Sequence, residues 1–184
     1  MSRFVAALIL VLAAAFSPPA GARQDDPRLD ALFERLLAAT EFAETRRIES
    51  SIWGIWFESD DENLDALMAR GSMAMYSRAY EAALESFDAI VESAPDFAEG
   101  WNMRATLFYK MERYAESIRD IERTLGLEPR HFGALSGMGL ISMELGDEAA
   151  ALDWFERALV VNPHMLGPKS NIRYLREKLR GKAI

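Results

Sequence analysis

The stretch Ala82–Trp101, AALESFDAIVESAPDFAEGW, carries an apolar stripe at helical spacing, then Pro95, then a fresh helical start. The same grammar returns in Glu116–Leu135, ESIRDIERTLGLEPRHFGAL, and in Ala150–Lys169, AALDWFERALVVNPHMLGPK. Pro95, Pro129 and Pro163 therefore stand 34 residues apart. A fixed period of this length marks a stack of repeated units, each too small to bury its own apolar face. Alignment on the prolines gives three units, Leu64–Phe97, Ala98–His131 and Phe132–Met165. Each proline ends a helix and stops it from running on.

The second helix of each unit is the clearest. Tyr80, Ala83, Leu84, Phe87, Ile90 and Val91 share one face, as do Tyr114, Ser117, Ile118, Ile121, Thr124 and Leu125. Ala151, Leu152, Phe155, Ala158, Leu159 and Val161 repeat the pattern. Spacing of i, i+3, i+4, i+7 predicts amphipathic helices. Small residues recur in register: Gly71, Ala105 and Gly139 at one position, Ala83, Ser117 and Ala151 at another. Such positions let two helices approach closely. Asp96 with Glu99 reads as a capping box, and Asp147 after Gly146 as a second cap.

These residues resemble the tetratricopeptide repeat, whose pattern sets a large residue, a small residue, aromatics, Ala and Pro at fixed places. Trp101 matches the family's opening tryptophan, and Gly139, Ala151, Phe155, Ala158 and Pro163 match its later positions. Leu67 and Leu135 replace that tryptophan, Ser142 stands for an aromatic and Thr124 for an alanine. The resemblance covers Leu64–Met165 and implies an all-α solenoid of antiparallel helix pairs. The first helix of each pair then lines a concave groove. The groove positions implied are Met68, Ser72, Met75 and Tyr76; Asn102, Thr106, Tyr109 and Lys110; and Ser136, Leu140, Met143 and Glu144. Arg130 and His131 sit at the turn entering the third unit. Amide, hydroxyl, aromatic and thioether groups of this kind suit a peptide or helix of a protein partner. Some family members grip a peptide's terminal carboxylate with Lys, Arg and Asn. Here Asn102 and Lys110 lack the other basic members, so no such clamp is expected.

The flanks follow the same logic. Asp26-Pro27 opens a helix near Arg28–Ala39, and a second runs near Glu41–Glu58 with Ile48, Ile52, Trp53 and Trp56 as its stripe. Residues 23–63 therefore read as a helical hairpin and a degenerate repeat, with Trp53 where Phe87 falls in the next unit. Its small positions are filled by Leu37 and Glu49, which predicts different packing. Residues 166–184 read as a capping segment whose helix runs beyond Gly167-Pro168 from Lys169 to about Arg180, with Ile172, Leu175 and Leu179 covering the end of the stack. That segment carries six basic residues, Lys169, Arg173, Arg176, Lys178, Arg180 and Lys182, against Glu177. It is a candidate contact for anionic lipid or an acidic partner, weighed against a plain solvated cap.

At the start, Arg3 precedes an apolar run from Phe4 to Phe16, a Ser17-Pro18-Pro19 break and Ala20-Gly21-Ala22. This predicts a secretory signal peptide over residues 1–22, cleaved after Ala22, with an uncleaved anchor as the alternative. The chain has 184 residues, no Cys and a formal charge of −8. Disulfides, thiolate metal sites and cysteine nucleophiles are thereby excluded. The acidic balance argues against a nucleic-acid partner. Only His131 and His164 are present, too few for a histidine-built metal site. The run Ser59–Glu62, SDDE, fits a helix start, where acids favour the dipole. Gly133, Gly137 and Gly139 lie on a helical pattern and form no phosphate loop. No catalytic, cofactor-binding or metal residues are assigned. The expectation is an exported, non-catalytic adaptor that binds a protein or peptide in its groove, and a periplasmic home is what the resemblance implies. Two rivals stand beside it: a self-assembling, homo-oligomeric component of the cell envelope, and an accessory subunit of an envelope enzyme complex.

Overall fold

The computed structural model describes residues 25–182, so the signal-peptide expectation lies outside the described residues. Those residues form nine helices and no strand. They are α1 (Arg28–Ala38), α2 (Phe42–Phe57), α3 (Glu62–Tyr76), α4 (Tyr80–Ser93), α5 (Ala98–Lys110), α6 (Tyr114–Leu127), α7 (Phe132–Glu144), α8 (Glu148–Val161) and α9 (Leu166–Lys182).

Helices α3 to α8 pair in order, and the small residues explain how closely. A Cβ added to Gly71 would lie 2.6 Å from the Phe87 ring, and one on Gly139 would lie 2.5 Å from the Phe155 ring. Phe87 and Phe155 are fully buried as a result. Ala83, Ser117 and Ala151 are buried too, and the Ser117 hydroxyl donates to the Ala105 carbonyl at 2.8 Å. Thr124 fits an alanine's place because its hydroxyl donates to the Asp120 carbonyl at 2.9 Å. That bond satisfies a polar group which burial would otherwise penalise. Neighbouring units are tied by Arg104, which bridges Asp88 on α4 at 2.8 Å and Asp120 on α6 at 2.7 Å.

The turn inside each pair has its own repeat position. Arg78 (φ 61°), Glu112 (φ 59°) and Gly146 (φ 76°) all adopt the left-handed conformation, 34 residues apart. Only the third uses glycine, which enters that region without strain. Helix starts follow partly from sequence. Asp61 caps α3 by accepting from Asn63 N at 2.8 Å, and Asp147 caps α8 by accepting from Ala150 N at 2.9 Å. The capping box expected at Asp96 and Glu99 does not form. Phe97 is the N-cap of α5, without a side-chain cap, and Glu99 turns inward.

Helix α9 closes the end of the stack. Ile172 and Leu175 pack with Ala151 and Phe155, and Leu179 is half-buried. Pro168 is tolerated because it lies in the first turn, where its missing N–H has no helical partner to lose. Two of the basic residues pair with the third unit, Lys178 with Glu148 and Arg176 with Glu156, at 2.9 and 2.8 Å.

The front end departs from expectation. Hairpin α1–α2 is not stacked on α3 as a further repeat. Ala66, Gly100 and Ala134 share one repeat position; Gly100 is buried, with a Cβ there set to meet Ile90 at 2.5 Å, and Ala134 is buried, but Ala66 is exposed. Among the described residues, no helix therefore covers the front of α3. The physical reason lies in Leu37 and Glu49, which occupy the small positions. Leu37 is 55% exposed and offers no recess for Trp53. The tryptophans instead pack on α7. The hairpin has a core of its own, built from Leu29, Phe33, Leu36, Ile48, Ile52, Ile55 and Trp56, and Phe132 joins it from the third unit.

The concave groove as candidate binding site

The groove is floored by α3, α5 and α7, and α2 runs across it. At its start, Phe42, Arg46 and Glu49 share a cleft of about 790 Å³ with Ser136, Met165 and Lys169. At its end, Gly54 and Phe57 share a recess with Met68 and Ser72 on α3. Between them, Trp53 meets His131 and Phe132 edge-on at 5.3 and 5.4 Å between centroids. Trp56 stacks on the His131 ring at 4.2 Å with an interplanar angle of 16°.

Three polar clips hold the hairpin: Arg130 to Asp30 at 2.6 Å, Asn162 to Glu49 at 2.8 Å and the His164 ring to the Leu36 carbonyl at 2.9 Å. The Arg130 guanidinium also lies 4.5 Å over the Phe33 ring. The ion pair of Arg130 with Asp30 is solvent-exposed and adds little, since surface pairs contribute about 0–1 kcal/mol. The aromatic contacts carry most of the docking.

Beneath Trp56 lies a buried polar triad that sequence reading missed. His131 Nδ1 accepts the Ala134 amide at 3.0 Å, so the proton resides on Nε2 and is donated to Glu99 at 2.9 Å. Asn102 donates to the other Glu99 oxygen at 3.0 Å. Glu99 and His131 are both shut off from solvent, and Asn102 is buried. Part of the signal is in the sequence, an acid three residues before Asn102 and 32 residues before His131. At a helix start the same acid also fits a cap.

The expected groove residues thus fall into two groups. Met68, Asn102, Arg130 and His131 are buried or engaged under or beside the hairpin. Ser72, Met75, Thr106, Tyr109, Ser136, Leu140 and Met143 are half-buried, and Tyr76, Lys110 and Glu144 are exposed. Around Thr106, Tyr109, Gly137 and Leu140 an apolar cavity of about 210 Å³ opens between α5 and α7. Gly133 and Ile121 line it as well. The Tyr109 hydroxyl donates to Glu144 at 3.5 Å. Burial, and then the Glu144 carboxylate, push its pKa above the ordinary tyrosine value, so it remains a neutral donor. The surface can therefore take an apolar side chain and hydrogen-bond the backbone that carries it. Among the described residues no group of three or more metal-ligating side chains converges.

Comparison with known proteins agrees with this architecture. A family model described as tetratricopeptide repeat matches residues 102–164. A TPR repeat-containing protein of Rhizobium etli is 37% identical over 154 residues, covering 84% of this chain and 76% of that protein. The Sgt2 TPR domain of Aspergillus fumigatus superposes with a TM-score of 0.62 at 18% identity, over 67% of this chain and 83% of that one. The first TPR of Spaghetti (RPAP3), solved with the Hsp90 peptide SRMEEVD, also gives 0.62 at 18% identity, over 66% and 96%.

Proposed function

Since the chain belongs to the tetratricopeptide-repeat proteins, we propose that it is a non-catalytic adaptor that holds a segment of another protein in its concave groove. The observation that carries this reading is the open part of the groove. An apolar recess there is rimmed by Thr106, Tyr109 and Ser136, which hydrogen-bond, and by Leu140, which packs. This is the chemistry of an extended or helical segment anchored by one apolar side chain. Among solved structures of similar fold, the Spaghetti domain above is bound to an Hsp90 peptide and the TPR2B domain of yeast Sti1 is in a pHsp70 complex, which supports a protein-binding role for this fold. The terminal-carboxylate clamp forms no part of the proposal: Asn102 is committed to Glu99, and Lys110 stands apart from it on the surface.

We place this adaptor outside the cytoplasm on the strength of residues 1–22, whose charge, apolar run and Ala20-Gly21-Ala22 suit export, and in the periplasm on its likeness to short secreted repeat proteins. Mass spectrometry of the protein from its producing cell tests that part: the expected chain begins at Arg23, and a chain retaining residues 1–22 overturns cleavage. The adaptor itself is tested by crosslinking in the producing cell, with capture of wild type and of Tyr109→Ala, Lys110→Ala. Partners held by wild type and lost by the variant are expected. Only self-crosslinks, unchanged in the variant, would instead support assembly through the ends of the stack.

A further inference from the structure

We propose that hairpin α1–α2 is a resident ligand of the groove, and that the covered part of the groove recognises helices that resemble α2. Such a helix carries two aromatic rings one turn apart, with a carboxylate one turn earlier. In α2 these are Trp53, Trp56 and Glu49. This rests on the adaptor reading and names the partner chemistry of a second part of the same surface.

Four observations carry it. First, the receptor side is shaped for an indole. A Cβ at Gly133 would stand 2.7 Å from the Trp53 ring, so only glycine at that place lets the ring lie on α7. Second, most of the hairpin's apolar core comes from α1 and α2 themselves, and the stack joins it through Phe132, Val161 and Met165, beside the Arg130–Phe33 contact and the three polar clips. Third, docking is imperfect. Trp56 Nε1 is buried and finds no hydrogen-bond partner in the structure. An unsatisfied buried donor costs free energy that release of the hairpin recovers. Fourth, the tether is the short segment from Glu58 to Asp61, where Asp60 turns left-handed at φ 54°. A short tether gives the hairpin an effective concentration in the millimolar range or above. An external helix must therefore outcompete a well-placed occupant, and binding is held in check until it does.

The test uses the full chain and a labelled peptide of residues 42–57 as probe, followed by fluorescence anisotropy. In the variant Asp30→Lys with Trp53→Ala, the hairpin loses its ion pair with Arg130 and the Trp53 contacts to His131, Phe132 and Gly133, and docking is weakened while Trp56 keeps its stack on His131. The peptide is expected to bind this variant at least tenfold more tightly than wild type. Adding Gly133→Leu to the same variant should abolish that binding. Equal affinity for wild type and variant would overturn the proposal, as would binding indifferent to Gly133→Leu. A variant whose repeats lose their helical circular dichroism together with the hairpin would overturn it as well, since the hairpin would then be a fixed part of the fold. None of these results depends on Tyr109 or Lys110, so the adaptor reading stands or falls separately.

Discussion

At the scale of single residues, the structure separates groups that hold the stack from groups that line its groove. Phe155 fills the space left by Gly139, and Phe155→Ala should cost about 3–5 kcal/mol in a urea melt. Tyr109→Ala, at the half-exposed rim, should leave the same melt almost unchanged. Equal losses would mean that the helix faces are assigned wrongly. Glu99→Ala strands both His131 and Asn102, and each stranded buried group costs about 1–3 kcal/mol. The left-handed turn position gives a prediction of opposite sign. Glu112→Gly removes steric strain of about 1–2 kcal/mol and should raise the urea midpoint, because Gly146 already shows the residue this turn prefers. The repeat itself was legible at this scale, since small-residue positions and prolines are fixed by local packing. Glu99 was not. A carboxylate three residues from an acid at a helix start has the same sequence signature whether it caps the helix or points into the groove. The choice is made by His131, 32 residues on in sequence and in contact only after the chain folds.

At the scale of the element, the hairpin shows where periodic patterns stop informing. The stripe of α2 correctly marks Ile48, Ile52 and Trp56 as buried. It does not say against what. Helix stripes specify a face, and the partner of that face depends on which surfaces fit. Leu37 and Glu49, large where the repeats are small, signalled that this pair would pack differently. Nothing in that stretch pointed to Gly133 as the receptor, because a glycine in a helical run reads equally as a loss of helix propensity or as room for a neighbour. The bounds of the helices were legible to within a few residues. The longest miss is α9, which starts at Leu166 before Pro168, where a proline suggested a later start.

At the scale of the whole molecule, stability is a sum over neighbouring units. Removing residues 166–184 uncovers Phe155 and Ala151 and forfeits the burial of Ile172 and Leu175, about 1.5–3 kcal/mol for each side chain. The truncated chain should melt at lower urea and self-associate at high concentration by analytical ultracentrifugation. The ion pairs of Lys178 and Arg176 are too exposed to change this outcome. Raising salt should therefore leave the midpoint of the intact chain nearly constant, whereas a strong dependence would give the basic face of α9 a larger part in holding the end.

The bare front of α3 gives the array a direction. Among the described residues, the second unit is held from two sides, the third has α9 behind it, and the first has a stacked neighbour on one side only. Amide protons should therefore trade with deuterium soonest in α3 and α4 and latest in α6 and α7, as a gradient along the chain. The fold would then loosen from the front, at the segment from which the hairpin also hangs. A single thermal event in that region, fraying of α3, would lengthen the tether and lower the local concentration of the groove's own occupant.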